Sequence, residues 1–304
     1  MKTVVMTGAT SGLGEIAARE ISGAPNTLLL VGARVEARTP IETLPLDLSR
    51  LTSVRSFADA VSTRLRDTPI DALVLNAGAQ FGNLNQRTED GFETTFAVNH
   101  LAHYLLLRLL LPKLAQDATV VITTSDTHDP KTNPLGPKDL DIERLAHPTE
   151  GSRGFIAGFG AYSSSKLCNL LTARALAVSK EAQARHISVM AYNPGFTPGT
   201  SLWRVWPWWA RLLMNIGKWV RPMAGINTVV QAGDAIADLA LGRIVPPSGR
   251  LYASLVKGKL TWPDPSDLAR RDDVMECLWR DSAEMVGLTA PAEATKAPDL
   301  HCLG

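Results

Sequence analysis

A chain of 304 residues is long for one domain but ordinary for a single α/β unit with a large core. Its 31 Lys and Arg against 30 Asp and Glu leave a formal charge of +1, which removes the electrostatic case for nucleic acid or acidic partners. Three cysteines, Cys168, Cys277 and Cys302, are widely spaced and odd in number, so no disulfide framework or metal cluster is expected and a reducing cytoplasm is the fitting compartment.

Lys2 to Thr7 is a short β-branched run that enters Gly8-Ala-Thr-Ser-Gly12-Leu-Gly14 and then a helical stretch from Glu15 to Ile21. Because Lys2 already belongs to that strand, no cleaved signal peptide is expected. Strand, glycine turn and helix form the dinucleotide-binding arrangement, in which the glycines let the backbone approach a pyrophosphate and the helix amino end presents free N–H groups. The spacing is G-x-x-x-G-x-G, and it makes Gly8, Thr10, Ser11, Gly12, Leu13 and Gly14 candidate cofactor contacts.

Further strands are expected at 27–33, 43–46, 70–76, 118–124, 186–192 and 249–253, and helices near 12–22, 51–66, 91–115, 161–183, 226–241 and 265–286. This alternation predicts an α/β fold: one doubly wound parallel sheet of about seven strands, Rossmann-type, covered on both faces. Only about ten residues, interrupted by Pro40, separate the second strand from the third, so the usual crossover helix is expected to be missing or reduced to a turn there. The apolar run Tyr104 to Leu114 contains Arg108, Pro112 and Lys113, falls far short of a membrane span and reads as a buried helix. No linker splits residues 1–288, and 289–304 reads as a loose tail.

Cofactor choice is made at the end of the second strand, where an acid binds a ribose 2′-hydroxyl and an Arg receives a 2′-phosphate. Val31-Gly-Ala-Arg34 carries no acid at its tip, so Arg34 points to NADP(H), with Arg38 able to add a second contact. The competing readings are a merely solvated Arg34 and an influence of nearby Glu36. Downstream, Tyr162-Ser-Ser-Ser-Lys166 places a phenol and an ammonium one helical turn apart. A Tyr hydroxyl titrates near ~10 and exchanges protons at neutral pH only if something stabilises its anion, which a neighbouring Lys⁺ does. Ser125 ends the strand Thr119-Val-Val-Ile-Thr-Thr, at the sheet edge where such folds build their sites, with Thr123 and Thr124 as rival hydroxyls. Asn99 lies in a helix despite mediocre helix propensity; it serves either a buried hydrogen bond or a water that relays protons to Lys166.

Taken together, Thr7-Gly8-x-x-x-Gly12-x-Gly14, Asn76-Ala-Gly78, Asn99, Ser125, Tyr162-x-x-x-Lys166 and Asn193-Pro-Gly195 resemble the short-chain dehydrogenase/reductase family over roughly residues 1 to 288. Thr88-Glu-Asp-Gly-Phe-Glu, Val98-Asn-His-Leu-Ala-His-Tyr-Leu-Leu and the ending Cys277 to Leu288 are similar to its retinol dehydrogenase and light-dependent protochlorophyllide reductase branch. The resemblance implies that Asp47 and Leu48 contact adenine, that Asn76, Ala77 and Gly78 floor the cofactor, and that Pro194, Gly195 and Thr197 border the nicotinamide. Asp and Asn-x-Gly also end strands as plain turns. It implies catalysis by Asn99, Ser125, Tyr162 and Lys166: Tyr162 as general acid, Ser125 hydrogen-bonded to the substrate oxygen, Lys166 lowering the Tyr162 pKa and holding the nicotinamide ribose.

Substrate class rests on the covering segments. Five of the seven tryptophans, Trp203, Trp206, Trp208, Trp209 and Trp219, fall in a lid at about 197–225, which suits a bulky hydrophobic carbonyl, alcohol or imine. Peripheral membrane contact or a homo-oligomer interface would use the same surface. His128, in the long stretch from Asp126 to Gly160, either touches substrate or is a loop histidine. Only Cys168 is similar to the protochlorophyllide reductase cysteine pattern, and the alternative to an enzyme is a catalytically idle NADP sensor whose lid binds a partner.

Overall fold

The computed structural model describes residues 1–35, 41–149, 154–198 and 226–288. The tryptophan-bearing part of the expected lid, together with Glu36, Arg38 and the segment 289–304, lies outside the described residues.

The strands are β1 (Lys2–Thr7), β2 (Thr27–Ala33), β3 (Glu42–Pro45), β4 (Ile70–Leu75), β5 (Leu114–Thr123), β6 (Ser188–Asn193), β7 (Tyr252–Val256) and β8 (Lys259–Thr261). Among the described residues they form one sheet in the order β3-β2-β1-β4-β5-β6-β7-β8, parallel throughout except for the antiparallel β7–β8 pair. The strand order therefore reverses between β1 and β4, and the crevice beyond their carboxyl ends is where open α/β sheets bind ligands. The parallel strands are buried on both faces, which is why Val4, Val5 and Met6 form a continuous apolar run rather than an alternation.

Helices α1 (Gly12–Gly23) and α8 (Val229–Ala240) cover one face, burying Ala17, Ile21, Ile236 and Leu239 against Val4, Met6 and Val74. The other face is covered by α2 (Leu51–Leu65), α4 (Ala102–Leu110), α6 (Phe155–Val178) and α9 (Asp272–Met285). The short helices α3 (Thr94–Phe96), α5 (Ile142–Ala146) and α7 (Lys180–Ala184) complete the described set. From Tyr162 to Ala173, α6 is buried nearly all round, so it is a central helix rather than an amphipathic one. No helix among the described residues is long and apolar enough to cross a membrane.

Several expectations shift. The eighth strand was not foreseen: it is only three residues long, and its one signal is the Lys257-Gly258 turn, where both residues take positive φ (50° and 75°) as a two-residue hairpin demands. β7 starts at Tyr252 rather than 249, because Arg250 N–H bonds Pro247 C=O in a preceding turn. The helix expected over 91–115 is composite: Gly91 turns the chain at φ 89°, α3 begins at Thr94, a π turn occupies Ala97–Leu101, and α4 follows. The helix expected at 161–183 starts at Phe155 and breaks at Ser179, whose side chain caps α7. The helix expected from 265 begins at Asp272. β2 and β3 pair in parallel with Leu30 opposite Glu42, so the short connection does join parallel neighbours. Cys168 is a free buried thiol.

Candidate active site

The crevice between β1 and β4 is shaped by backbone. Gly8 takes φ 72°, and a Cβ there would stand 2.6 Å from the Ala77 Cα; a Cβ on Gly14 would stand 1.9 Å from the Gly8 carbonyl oxygen. Only glycine fits either place. Asn76 ties the floor together: its Nδ2 donates to Gly8 C=O at 3.1 Å, and its Oδ1 accepts from the Thr123 hydroxyl at 3.1 Å. Thr7 Oγ1 accepts from the N–H groups of Asn76 (3.1 Å) and Ala77 (3.2 Å). Ser11 sits exposed at the N-cap of α1 and makes no side-chain cap, so the first-turn amides beyond Thr10, at Gly12, Leu13 and Gly14, receive no side-chain acceptor from it. Free N–H groups at a helix amino end are the kind of feature that suits an anion.

Arg34 leaves the end of β2 exposed to solvent and lies close enough to Asp47 for its charge to act on that carboxyl. Burial disfavours the Asp47 anion, but hydrogen bonds from Ser49 (2.7 Å from Oγ, 3.0 Å from N–H) and the charges of Arg34 and Arg50 outweigh it and hold the group below the usual carboxylate range. Leu48 packs beside it against the core.

The side chains expected to handle protons lie on the adjoining edge, by the ends of β4 and β5. Tyr162 and Lys166 occupy one face of α6, with Lys166 Nζ 5.7 Å from the Tyr162 ring centroid. The Lys166 ammonium is 3% exposed and donates to Thr123 C=O at 3.2 Å, a carbonyl that Asn169 also engages at 3.1 Å. A Cβ on Gly78 would stand 3.2 Å from Lys166 Nζ and 3.5 Å from Asn99 Oδ1, so the glycine floor, the ammonium and the amide border one small space. The Ser125 side chain lies close enough to the Tyr162 hydroxyl to act on it. Burial pushes the Tyr162 phenol above its ordinary value; the Ser125 side chain opposes this and the Asp126 carboxylate reinforces it. Burial also pulls Lys166 down to about 8. In the protein alone, desolvation therefore governs both groups, and the phenol is the resident form at neutral pH.

Asn99 falls inside the π turn, a distortion that recurs at functional sites. Its side chain is fully engaged: Nδ2 donates to Ala79 C=O (2.9 Å) and Ser165 Oγ (3.0 Å), and Oδ1 accepts from Ala79 N–H (2.8 Å). Its carbonyl accepts from His103 Nδ1 at 3.0 Å. The other ring nitrogen, Nε2, lies 3.0 Å from Thr7 Oγ1, whose lone pairs already serve two amides, so the hydroxyl donates and His103 is neutral. Burial, first of all, holds the His103 pKa down to about 4.

Beyond β6, Gly195 takes φ 63°, its N–H bonds Asn193 Oδ1 at 2.9 Å, and Thr197 Oγ1 donates to Pro194 C=O at 3.0 Å. Asn227 Nδ2 grips Pro194 C=O (2.9 Å) and Leu255 C=O (2.7 Å), which fixes this loop against β7. Sequence reasoning missed Asn227, His103 and Glu93. Glu93 is buried and caps α3 by accepting from the N–H groups of Thr95 and Phe96, which sets the start of the helix that carries Asn99. The one readable signal was an acid three residues ahead of the apolar run.

The glycine-lined crevice at the sheet switch point and the buried phenol and ammonium beside it together make up the candidate site. The family model for short chain dehydrogenase matches residues 2–133. The chain is 31% identical to human retinol dehydrogenase 12 over 303 residues, spanning 94% of this chain and 87% of that protein. It is 34% identical over 235 residues to the WW domain-containing oxidoreductase of Danio rerio, a match that uses 71% of this chain and only about half, 54%, of that relative's length. A solved structure of an uncharacterized protein from Mycobacterium Paratuberculosis superposes with a TM-score of 0.68 at 28% identity, covering 96% of this chain and 95% of that one. The chain belongs to the short-chain dehydrogenase/reductase family.

Proposed function

We propose that this chain is an NADP(H)-dependent oxidoreductase that transfers hydride between the nicotinamide and a bulky hydrophobic carbonyl or alcohol. The observation that carries the reading is that Lys166 and Asn99 border the space beside Gly78 while Tyr162 lies on the same helix face as Lys166, with Ser125 close to its hydroxyl. Gly8, Gly12, Gly14, the first-turn amides of α1 and the Asn76 to Gly78 floor would hold the cofactor, with Asp47 and Leu48 at its adenine and Pro194, Gly195 and Thr197 at its nicotinamide end. When bound, the nicotinamide supplies the hydride.

The chain's own groups handle the oxygen. Ser125 donates to the substrate carbonyl, and Tyr162 gives its proton to the oxygen as negative charge develops there. Reduction begins from the protonated phenol and oxidation from the phenolate, which burial disfavours. Lys166, still mostly charged at pH 7, lies under the ring where it stabilises the anion that the transfer leaves behind. Asn99 holds the 79 position and Ser165 in register with this pair.

NADP(H) is favoured by Arg34 at the exposed tip of β2, with no acid before it. A bulky apolar substrate is favoured by the aromatic ramp on α6, where Phe155 stacks on Phe159 (6.0 Å) and Phe159 on Tyr162 (6.3 Å), and by the name of the human relative, since retinol is a long apolar alcohol. NADPH consumption with a panel of hydrophobic aldehydes, ketones and imines tests the reading. Turnover of long apolar carbonyls is expected; tight NADPH binding with no turnover of any of them would favour an idle sensor. Arg34→Ala is expected to reduce the NADPH-to-NADH affinity ratio by roughly tenfold, about 1.4 kcal/mol, and an unchanged ratio would remove Arg34 from the argument.

A further inference from the structure

We infer that His128 is a positioning residue for Ser125: its imidazole clamps the Ser125 carbonyl and so holds the Ser125 side chain in place beside Tyr162. This rests on the oxidoreductase reading above. The Ser125 side chain is loosely held on its own account, accepting from Thr127 N–H at 3.3 Å and reaching Asp126 Oδ1 at 3.4 Å, both at the long limit of a hydrogen bond. Its carbonyl is held tightly, by His128 Nδ1 at 2.5 Å and more weakly by the His128 N–H at 3.3 Å.

The ring itself is 1% exposed and stands edge-on to Tyr252, with centroids 5.4 Å apart and planes at 88°. Donation from Nδ1 fixes the neutral tautomer and leaves a lone pair on Nε2, and Nε2 is buried with no hydrogen-bond partner. A buried, unsatisfied acceptor destabilises the fold by about 1–3 kcal/mol, and a Leu or Phe in this apolar slot would avoid it. The fold tolerates that penalty, so the ring supplies something a hydrocarbon does not. The described contacts offer one such service, the short bond to the residue that must aim at the substrate oxygen. The turn does not depend on the ring for its anchorage: Thr132 Oγ1 donates to Asp126 C=O at 2.7 Å, and Asn133 Nδ2 to Thr127 C=O at 3.0 Å.

The test compares His128→Leu, which fills the slot without a donor, with His128→Asn, whose amide can donate from the place of Nδ1. Steady-state kinetics are measured on a carbonyl that the wild type reduces, with NADPH affinity by fluorescence titration and Tm alongside. The leucine variant is expected to lower kcat by roughly 10- to 100-fold through misplacement of Ser125, with NADPH affinity unchanged and Tm equal or raised, and the asparagine variant to recover most of the loss. Leucine activity within about twofold of wild type, an asparagine variant as slow as leucine at wild-type Tm, or a leucine variant that no longer folds would each overturn the inference. Wild-type inactivity on every carbonyl would instead strike the oxidoreductase reading beneath it.

Discussion

The two ends of the crevice are built from opposite materials. At the β1–α1 end the structure depends on atoms that are missing: Gly8 and Gly14 exist because a Cβ would collide with Ala77 or with the Gly8 carbonyl. At the β5–α6 end it depends on buried polar side chains, Lys166, Asn99, Ser165 and Asn169, each held by a named hydrogen bond. The first kind of site is shaped by sterics, so damage to it should cost stability and binding together. The second keeps charged and polar groups out of water, so damage to it should cost activity while leaving stability level or higher.

The sharpest separation comes from Tyr162→Phe. It deletes one hydroxyl at the catalytic end and is expected to lower kcat by about 10²- to 10⁴-fold, with NADPH affinity and Tm near wild type. Single-turnover kinetics with a fluorescence titration of NADPH check both halves of that statement. Intact turnover would end the enzymatic account.

Gly14→Ala is the counterpart in the cradle. A Cβ 1.9 Å from the Gly8 oxygen forces backbone to move, so a loss of about 3 kcal/mol in stability is expected, together with weakened nucleotide binding. Urea unfolding and the same titration measure the two effects, and loss of kcat with both left intact would break the comparison.

Lys166→Met sharpens it with a change of sign. Burial places the Lys166 pKa at about 8 in the folded protein against 10.5 for the free group, so the native state bears the cost of charging it at every pH below 8. Between pH 8 and 10.5 the unfolded chain binds more protons than the folded one, and wild-type stability rises with pH across that window. Removing the charge is worth up to about 3 kcal/mol at pH 7, and the bond lost at Thr123 C=O takes back about 1. A variant about 2 kcal/mol more stable than wild type at pH 7, with the advantage gone by pH 10.5 and turnover largely lost, is the expected result of chemical unfolding across pH.

These two materials also explain what could be read in the chain. Sterics write themselves into composition, so the glycine spacing and the apolar β-branched strands were legible. The pair Tyr162 and Lys166 was legible because helical spacing alone puts both on one face. The braces were not. Thr123 acts through its carbonyl, which every residue has, and His103 acquires a role only because folding brings β1 within 3.0 Å of it. The π turn at Asn99 leaves no mark beyond one poor helix former in an apolar run, and β8 is too short for any periodicity. Residues that act on their sequence neighbours can be inferred in advance; residues that act across the sheet cannot.

The smallest effect tests the charge that restrains the phenol. Asp126 is half-buried beside Ser125, and its carboxylate adds to burial in pushing the Tyr162 phenol upward, only partly offset by the Ser125 side chain. Asp126→Asn keeps a carbonyl oxygen for the Ser125 hydroxyl and removes the charge, so the Tyr162 pKa falls. Alcohol oxidation, which begins from the phenolate, should then have its alkaline limb displaced to lower pH. At a fixed pH below that limb the oxidation rate should rise by roughly two- to fivefold, the scale of a solvent-screened charge. Carbonyl reduction near pH 7 begins from the phenol and should hardly change. A pH profile of kcat in both directions decides the matter: a limb displaced to higher pH, or a reductive rate that falls with the charge, would mean that Asp126 serves the substrate rather than restraining the phenol.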